Sequence, residues 1–211
     1  MEIPLTILYT YSLHGALDRL PRLYTLIRAL RSKAAGRVLL FDLGASCSPV
    51  IWPCALTGGR STLVALDGMG YDAANIVGSA DDDARIKLGD NVRMILVDND
   101  YPWRDGDLVA TTPDATTAIN PDEITLHIVL RPASTTRLDG PDGKRLFLAG
   151  VGGEQVGSVG LKLMNDCPPQ LIDHAVHDLL PTTFPDPTIS GIVEFVRAEA
   201  RYAEKRRGAK S

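Results

Sequence analysis

Three consecutive stretches decide the fold: IPLTILYTY (residues 3–11), LDRLPRLYTLIRALR (17–31) and RVLLFDL (37–43). The first is dense in β-branched and aromatic residues and predicts a buried strand. The second changes period. Leu20, Leu23, Ile27 and Leu30 fall on one helical face, with Arg22, Arg28 and Arg31 mostly elsewhere. Pro21 suits only a first turn, so the helix should begin near Arg19 or Leu20 and run to about 34, with Gly36 stopping it. The third stretch returns to an apolar run and predicts a second strand. Strand, helix and strand in so short a span make a βαβ unit with parallel strands.

Working outward, the unit repeats. A loop with Pro49, Pro53 and Gly58–Gly59 leads to a helix over 60–68, which carries Leu63, Val64 and Leu66. A third strand follows at 73–77 (AANIV), then a polar loop over 78–83. The three strands therefore end in loops carrying Ser12 to His14, Ala45 to Cys47 and Ser79 to Asp83. Ligands of open parallel sheets bind beyond the carboxyl ends of the strands, so these loops should meet. In the second half, 92–97, 124–131, 145–150 and 155–163 read as strands, with turns at Gly140 and Gly143. No connection there has room for a crossover helix, which predicts antiparallel pairing. A closing helix is expected over 187–206, capped by Asp186, opened by Pro187 and ending in Lys205, Arg206 and Arg207. The class is α/β, in a single domain over residues 1–211.

Composition narrows the function classes. The 211 residues are 45% hydrophobic and 23% charged, as in ordinary globular proteins. A net charge of −4 argues against a nucleic-acid backbone binder. Charge is uneven: residues 66–125 hold thirteen acids and four bases, whereas 197–211 hold six bases and two acids. Two solvated faces are the ordinary reading; an electrostatic contact between them, or a partner for the basic end, is the sharper one. The cysteines Cys47, Cys54 and Cys167 are odd in number and lack framework or zinc spacing, which predicts free thiols in a reducing compartment. No apolar run reaches membrane-spanning length and the first residues do not read as a leader, so a cytoplasmic location is expected, with no membrane partner.

The order of elements resembles the calcineurin-like metallophosphoesterases, in their 5′-nucleotidase branch. That branch opens with a pattern like ILHTNDIHG, matched here from Ile7 to Gly15. It continues with LLLDAGD, matched from Leu39 to Ala45, and MNALGYDAMTLGNHEFD, matched from Gly70 to Asp83. Residues 147–163 and 184–199 look like the strand pair and final helix of the same domain. The resemblance implies a shortened four-layer αββα sandwich of metallophosphoesterase type.

The resemblance also implies which residues would carry the chemistry, and most of them differ. The family's first metal-binding Asp falls on Ser12, although its His survives as His14. The bridging Asp falls on Ala45. The Asn ligand and the phosphate-side His fall on Ser79 and Ala80. No Gly-His-x-His pair exists, and His127, His174 and His177 sit in no such motif. Paired cations need carboxylates to hold them close together, so no cofactor is expected. The expectation is a non-catalytic relative with a binding, scaffold or regulatory role, acting through the vacated pocket or an outer surface. The alternative is a phosphoester hydrolase with an altered or mononuclear metal site. A third reading is a nucleophilic pair of Cys47 and His14. The candidate pocket comprises Ser12, His14, Asp42, Ala45, Ser46, Cys47, Ser79, Ala80, Asp81 and Asp83. For Asp81 to Asp83 a hard-cation site stands against ordinary capping duty; for Trp52 and Trp103 a contact surface stands against local packing. The short middle region leaves surface for self-association or a protein partner.

Overall fold

The computed structural model describes residues 2–89, 91–140, 142–164 and 167–208. Strand β1 (Glu2–Thr10) leads through a 3-10 turn (Leu17–Arg19) into α1 (Leu20–Lys33) and then β2 (Arg37–Asp42), parallel to β1. This is the expected βαβ unit, with Pro21 in the first helical turn. A short α2 (Cys54–Thr57) and α3 (Arg60–Gly68) precede β3 (Ala73–Asn75). Helix α4 (Asp82–Gly89) and β4 (Ile95–Val97) follow, β4 again parallel to β3.

Five strands then form a second sheet: β5 (Trp103–Asp105), β6 (Leu108–Thr111), β7 (Leu126–Ala133), β8 (Arg137–Asp139) and β9 (Arg145–Ala149). The chain returns to the first sheet with β10 (Gln155–Met164) and β11 (Cys167–Asp178), and ends in α5 (Pro187–Gly208). The first sheet is ordered β11-β10-β1-β2-β3-β4, the second β5-β6-β7-β9-β8.

Alternation within the strands assigns the layers. Leu5, Ile7, Tyr9, Leu39, Phe41 and Val159 face the second sheet, against Leu108, Ala110, Leu126, Ile128, Leu146 and Leu148. The opposite face of the first sheet, with Leu8, Leu40 and Val156, receives Leu23 and Ile27 of α1, Leu63 and Leu66 of α3 and Ile189, Val193 and Val196 of α5. Asp186 caps α5 as expected: its Oδ1 accepts from Thr188 N and Ile189 N at 2.9 and 3.1 Å. On the outer face of the second sheet, residues 112–125 form the cover, with one 3-10 turn (Pro121–Glu123). The architecture is a shortened αββα sandwich in which that outer layer is a loop.

Several sequence expectations are corrected. The second half is not antiparallel throughout: β6 and β9 both pair parallel to β7. A parallel crossover requires a long enough connection, and the irregular 112–125 segment suffices without a helix. Residues 82–89 are a helix, so the polar loop ends sooner. His174 and His177 lie within β11, a strand that went unread because nearly all of it is exposed and carries no buried face. Trp103 is buried edge-on against Phe41, with ring centroids 5.1 Å apart, so its role is packing.

Tyr9 lies directly opposite Gly157 across the β1–β10 ladder, and its ring folds over that residue. A Cβ at position 157 would stand 2.1 Å from Tyr9 Cζ. Gly157→Ala should therefore cost roughly 1–3 kcal/mol of unfolding free energy by forcing the fully buried Tyr9 from its rotamer. A urea midpoint unchanged from the parent would contradict this packing.

Candidate functional site

The site grows from the carboxyl ends of β1 and β2. Beyond the sheet the two chains stay hydrogen-bonded: Ser12 N donates to Gly44 O, His14 N to Ala45 O and Gly15 N to Ser46 O, at 3.2, 2.9 and 2.9 Å. This lacing holds three non-glycine residues at positive φ: Ser12 at 63°, His14 at 51° and Ala45 at 53°. Such conformations cost on the order of 1–3 kcal/mol each, persist only where surrounding bonds enforce them, and cluster at functional sites. Ser12 Oγ and His14 Nε2 are hydrogen-bonded at 2.7 Å, with the imidazole exposed.

Asp42 lies beneath this surface and is fully buried. Thr10 Oγ1 is 2.9 Å from its Oδ1, Gly44 N donates to its Oδ2 at 3.1 Å, and Thr10 also meets the Tyr71 hydroxyl at 2.9 Å. Burial pushes the carboxyl up to about 7, against the opposing pull of Thr10 and Gly44. The Tyr71 phenol is driven up by burial and by Asp42. Asp42 therefore ties β1, β2 and Tyr71 together and has no oxygen aimed at solvent.

Cys47 is not a thiol. It forms a disulfide with Cys54, their Cα atoms 5.8 Å apart. This overturns the free-thiol expectation and removes the Cys47–His14 nucleophilic pair, since a thiolate is what attacks. Seven residues of separation gave no recognisable framework in sequence. Gly15 makes room for the bridge: a Cβ there would stand 2.5 Å from Cys54 Sγ. Cys167 remains free and exposed.

The third loop leaves β3 beside Gly44 and then tightens. Ser79 N and Ala80 N both donate to Ile76 O, making a tight turn. Asp81 Oδ1 accepts from Ala84 N at 2.7 Å and so caps α4, while Asp83 pairs with Lys87 one turn along. Asp81 and Asp83 line a groove of about 410 Å³ together with Arg206 and Arg207, which puts the acidic flank and the basic helix end on one cleft. Ser46 Oγ and Ser79 Oγ are buried and have no hydrogen-bond partner among the described residues.

A cleft of about 530 Å³ opens between the sheets at the strand ends. Ala45 lines it, with Tyr11, Asn75, Asn99, Asp114 and Arg131. Ser12, His14, Ser79, Asp81 and Asp83 are not among its lining residues. Asn75 is saturated: its Nδ2 donates to Leu43 O and Leu130 O, one in each sheet, and its Oδ1 accepts from Val77 N. Asn99, Asp114 and Arg131 were missed by the sequence reading because they come from the connection between the sheets and from the second sheet and its covering loop. Arg131 is the outward-pointing member at the end of an apolar strand, which is the one signal that could have flagged it.

The donor set does not suit two bridged cations. Ala45 and Ala80 offer no ligand atom, Ser12 Oγ is taken up by His14, and both Asp42 oxygens are engaged in the interior. Among the described residues, no three His, Cys, Asp or Glu side chains converge. No helix of the described residues is long and apolar enough to cross a membrane.

No protein-family model matches the chain, and no curated protein matches it. Solved structures do. The chain is similar to the NAD nucleotidase (NadN) of Haemophilus influenzae, with TM-score 0.67, 10% identity, and coverage of 95% of this chain and 61% of that one. It is similar to the sulfate thiohydrolase SoxB of Thermus thermophilus in complex with glycerol (TM-score 0.64, 12% identity, 92% and 60% covered). It is also similar to a 5′-nucleotidase precursor, again from Thermus thermophilus (TM-score 0.57, 14% identity, 95% and 59% covered). The chain thus spans about three-fifths of the length of these proteins. At these identities the likeness shows the fold, and the fold is of the metallophosphoesterase type.

The buried carboxyl of Asp42 generates a signed pH dependence. Its pKa is about 3.9 unfolded and about 7 folded. Between those values the folded chain holds a proton that the unfolded chain has lost. This contribution to stability is full below about pH 4, falls by about 1.4 kcal/mol per pH unit through the window, and is gone above about pH 7. Asp42→Asn keeps a neutral amide in place and should flatten that portion of the curve. Urea midpoints for both proteins at about pH 5 and pH 8 measure it, and parallel curves would refute the assignment.

Proposed function

We propose that the chain is a non-catalytic protein of the metallophosphoesterase fold that uses the strand-end cleft and its laced loops for binding. The observation that carries this reading is a strained, laced backbone without the family's ligand set. Ser12, His14 and Ala45 are held in a costly conformation, while the positions matching the family's carboxylates and phosphate-side His hold Ser12, Ala45 and Ala80. Arg131 gives the cleft one cationic wall. The Cys47–Cys54 bridge favours an oxidising compartment over the cytoplasm, because cytosolic thiols are kept reduced.

Purified protein incubated with Mn²⁺ and assayed on bis-aryl phosphates and nucleotides should show no turnover above a chelated control. It should also retain less than one metal ion per chain after gel filtration. A stoichiometric transition metal together with turnover abolished in His14→Ala would overturn the reading in favour of a hydrolase with an altered metal site. The reciprocal experiment rebuilds the family's donors with Ser12→Asp, Ala45→Asp, Ser79→Asn and Ala80→His in one chain. Asp is among the residues that tolerate left-handed backbone, so positions 12 and 45 can accept it. This variant should gain a thermal midpoint that rises with Mn²⁺, whereas the parent midpoint stays put.

A further inference from the structure

The outer face of the second sheet carries a second site, independent of the strand-end reading. Register places its side chains. On β7, His127 stands opposite Val109 of β6 and Arg145 of β9; one pleat repeat along, Val129 stands opposite Thr111 and Phe147. These residues share the face opposite the inter-sheet core, because their neighbours Leu126, Ile128, Leu146 and Leu148 fill that core. The 112–125 segment arches over them without closing down. It leaves a cavity of about 260 Å³ on one side of His127 and another of about 130 Å³ on the other. His127, Arg145 and Ile119 line both.

The polar groups here differ in how far they are already engaged. His127 is buried, its Nε2 2.9 Å from Thr111 Oγ1. Burial, and then the nearby Arg145, push its imidazole down to about 4 against the opposing pull of Asp142, so it stays neutral near pH 7; Asp142 lines only the smaller cavity, where its Oδ1 accepts from Lys144 N. Lys144 is spent: its Nζ donates to Pro121 O and Ile124 O at 2.9 and 2.8 Å, pinning the far end of the arch. Arg137 is held by Asp139 and lies over the Phe147 ring, 4.7 Å from its centroid. Arg145, facing Asp139 on the neighbouring strand, makes no ion pair among the described residues. Thr112 and Thr117 also line the larger cavity, but their hydroxyls are engaged, donating to Asn99 Oδ1 and Asp100 O; the apolar walls are Pro113, Ala115, Ile119, Val129 and Phe147. One guanidinium, already attracted by Asp139, and a neutral imidazole, beside apolar walls and threonines that are already hydrogen-bonded, match a monoanion with an apolar body better than a phosphate, which would need more donors.

We propose that this cavity binds a small organic carboxylate, its carboxylate held by Arg145 beside His127 and its apolar body against Val129, Phe147 and Ile119. Benzoate is the probe. Titrated into the full chain and followed by amide chemical shifts, it should saturate, with the largest shifts at Thr111, His127, Val129, Arg145 and Phe147. Arg145 is exposed, so Arg145→Gln should fold normally and weaken benzoate at least tenfold, with Arg145→Lys intermediate. Phe147→Leu should weaken benzoate while leaving the thermal midpoint of the free chain within a few degrees. Benzyl alcohol, which has the ring without the charge, should bind far more weakly. The proposal is overturned by binding that survives Arg145→Gln, by inorganic phosphate competing as strongly as benzoate, by shifts confined to the strand-end cleft around Ala45 and Arg131, or by no saturable shift at all. Failure of the strand-end reading would leave these outcomes unchanged, because neither Arg145 nor His127 lines that cleft.

Discussion

The loops that leave β1 and β2 do not separate at the end of the sheet. Three backbone hydrogen bonds continue the ladder for several residues past the last paired strand position, and this continuation sets everything around it. It fixes Ser12, His14 and Ala45 at positive φ, it places Gly15 where only a hydrogen can face the Cys54 sulfur, and it brings Gly44 N onto Asp42. A free chain would relax such dihedrals. Here relaxation would break the lacing and open the interior beneath it.

Two polar groups transmit that constraint to the rest of the fold. Asp42 joins Thr10, Gly44 and, through Thr10, Tyr71, so both central strands and the turn before β3 share one buried network. Asn75 spans the sheets, donating to a carbonyl from each. The strand-end cleft is therefore bounded by a rigid floor rather than by mobile loops. Preorganisation of this kind lowers the entropy cost of holding a ligand.

The first half of the fold was legible because its signals were local and redundant. Period, Pro21 and Gly36 each placed α1, and the apolar runs on either side of it placed β1 and β2. The second half was not. Its strands are short, its crossover is irregular, and β11 presents almost no buried side chain, so neither alternation nor run length marks it. The candidate site was legible as positions but not as geometry. His14, Ser12 and Ala45 assemble through backbone bonds that no side-chain pattern encodes. The Cys47–Cys54 bridge was hidden by the third, unpaired cysteine. Arg131 enters the cleft from a sheet whose packing on the first depends on contacts distant in sequence, and Asn99 from the connection between the two. Of the two roles the sequence left open for Asp81, its carboxylate performs the capping one, accepting from Ala84 N at the start of α4.

The two faces of the sandwich are insulated very differently. Helices of up to twenty-two residues shield one side, while the other is roofed by an arch anchored mainly through the Lys144 ammonium and a few threonine hydroxyls. Peptide groups under the helices open only with the whole molecule, whereas those under the arch are guarded by a handful of polar tethers. Solvent deuterium should thus reach β6, β7 and β9 from one direction first, and the sandwich should breathe on its thin side while the helical side remains shut.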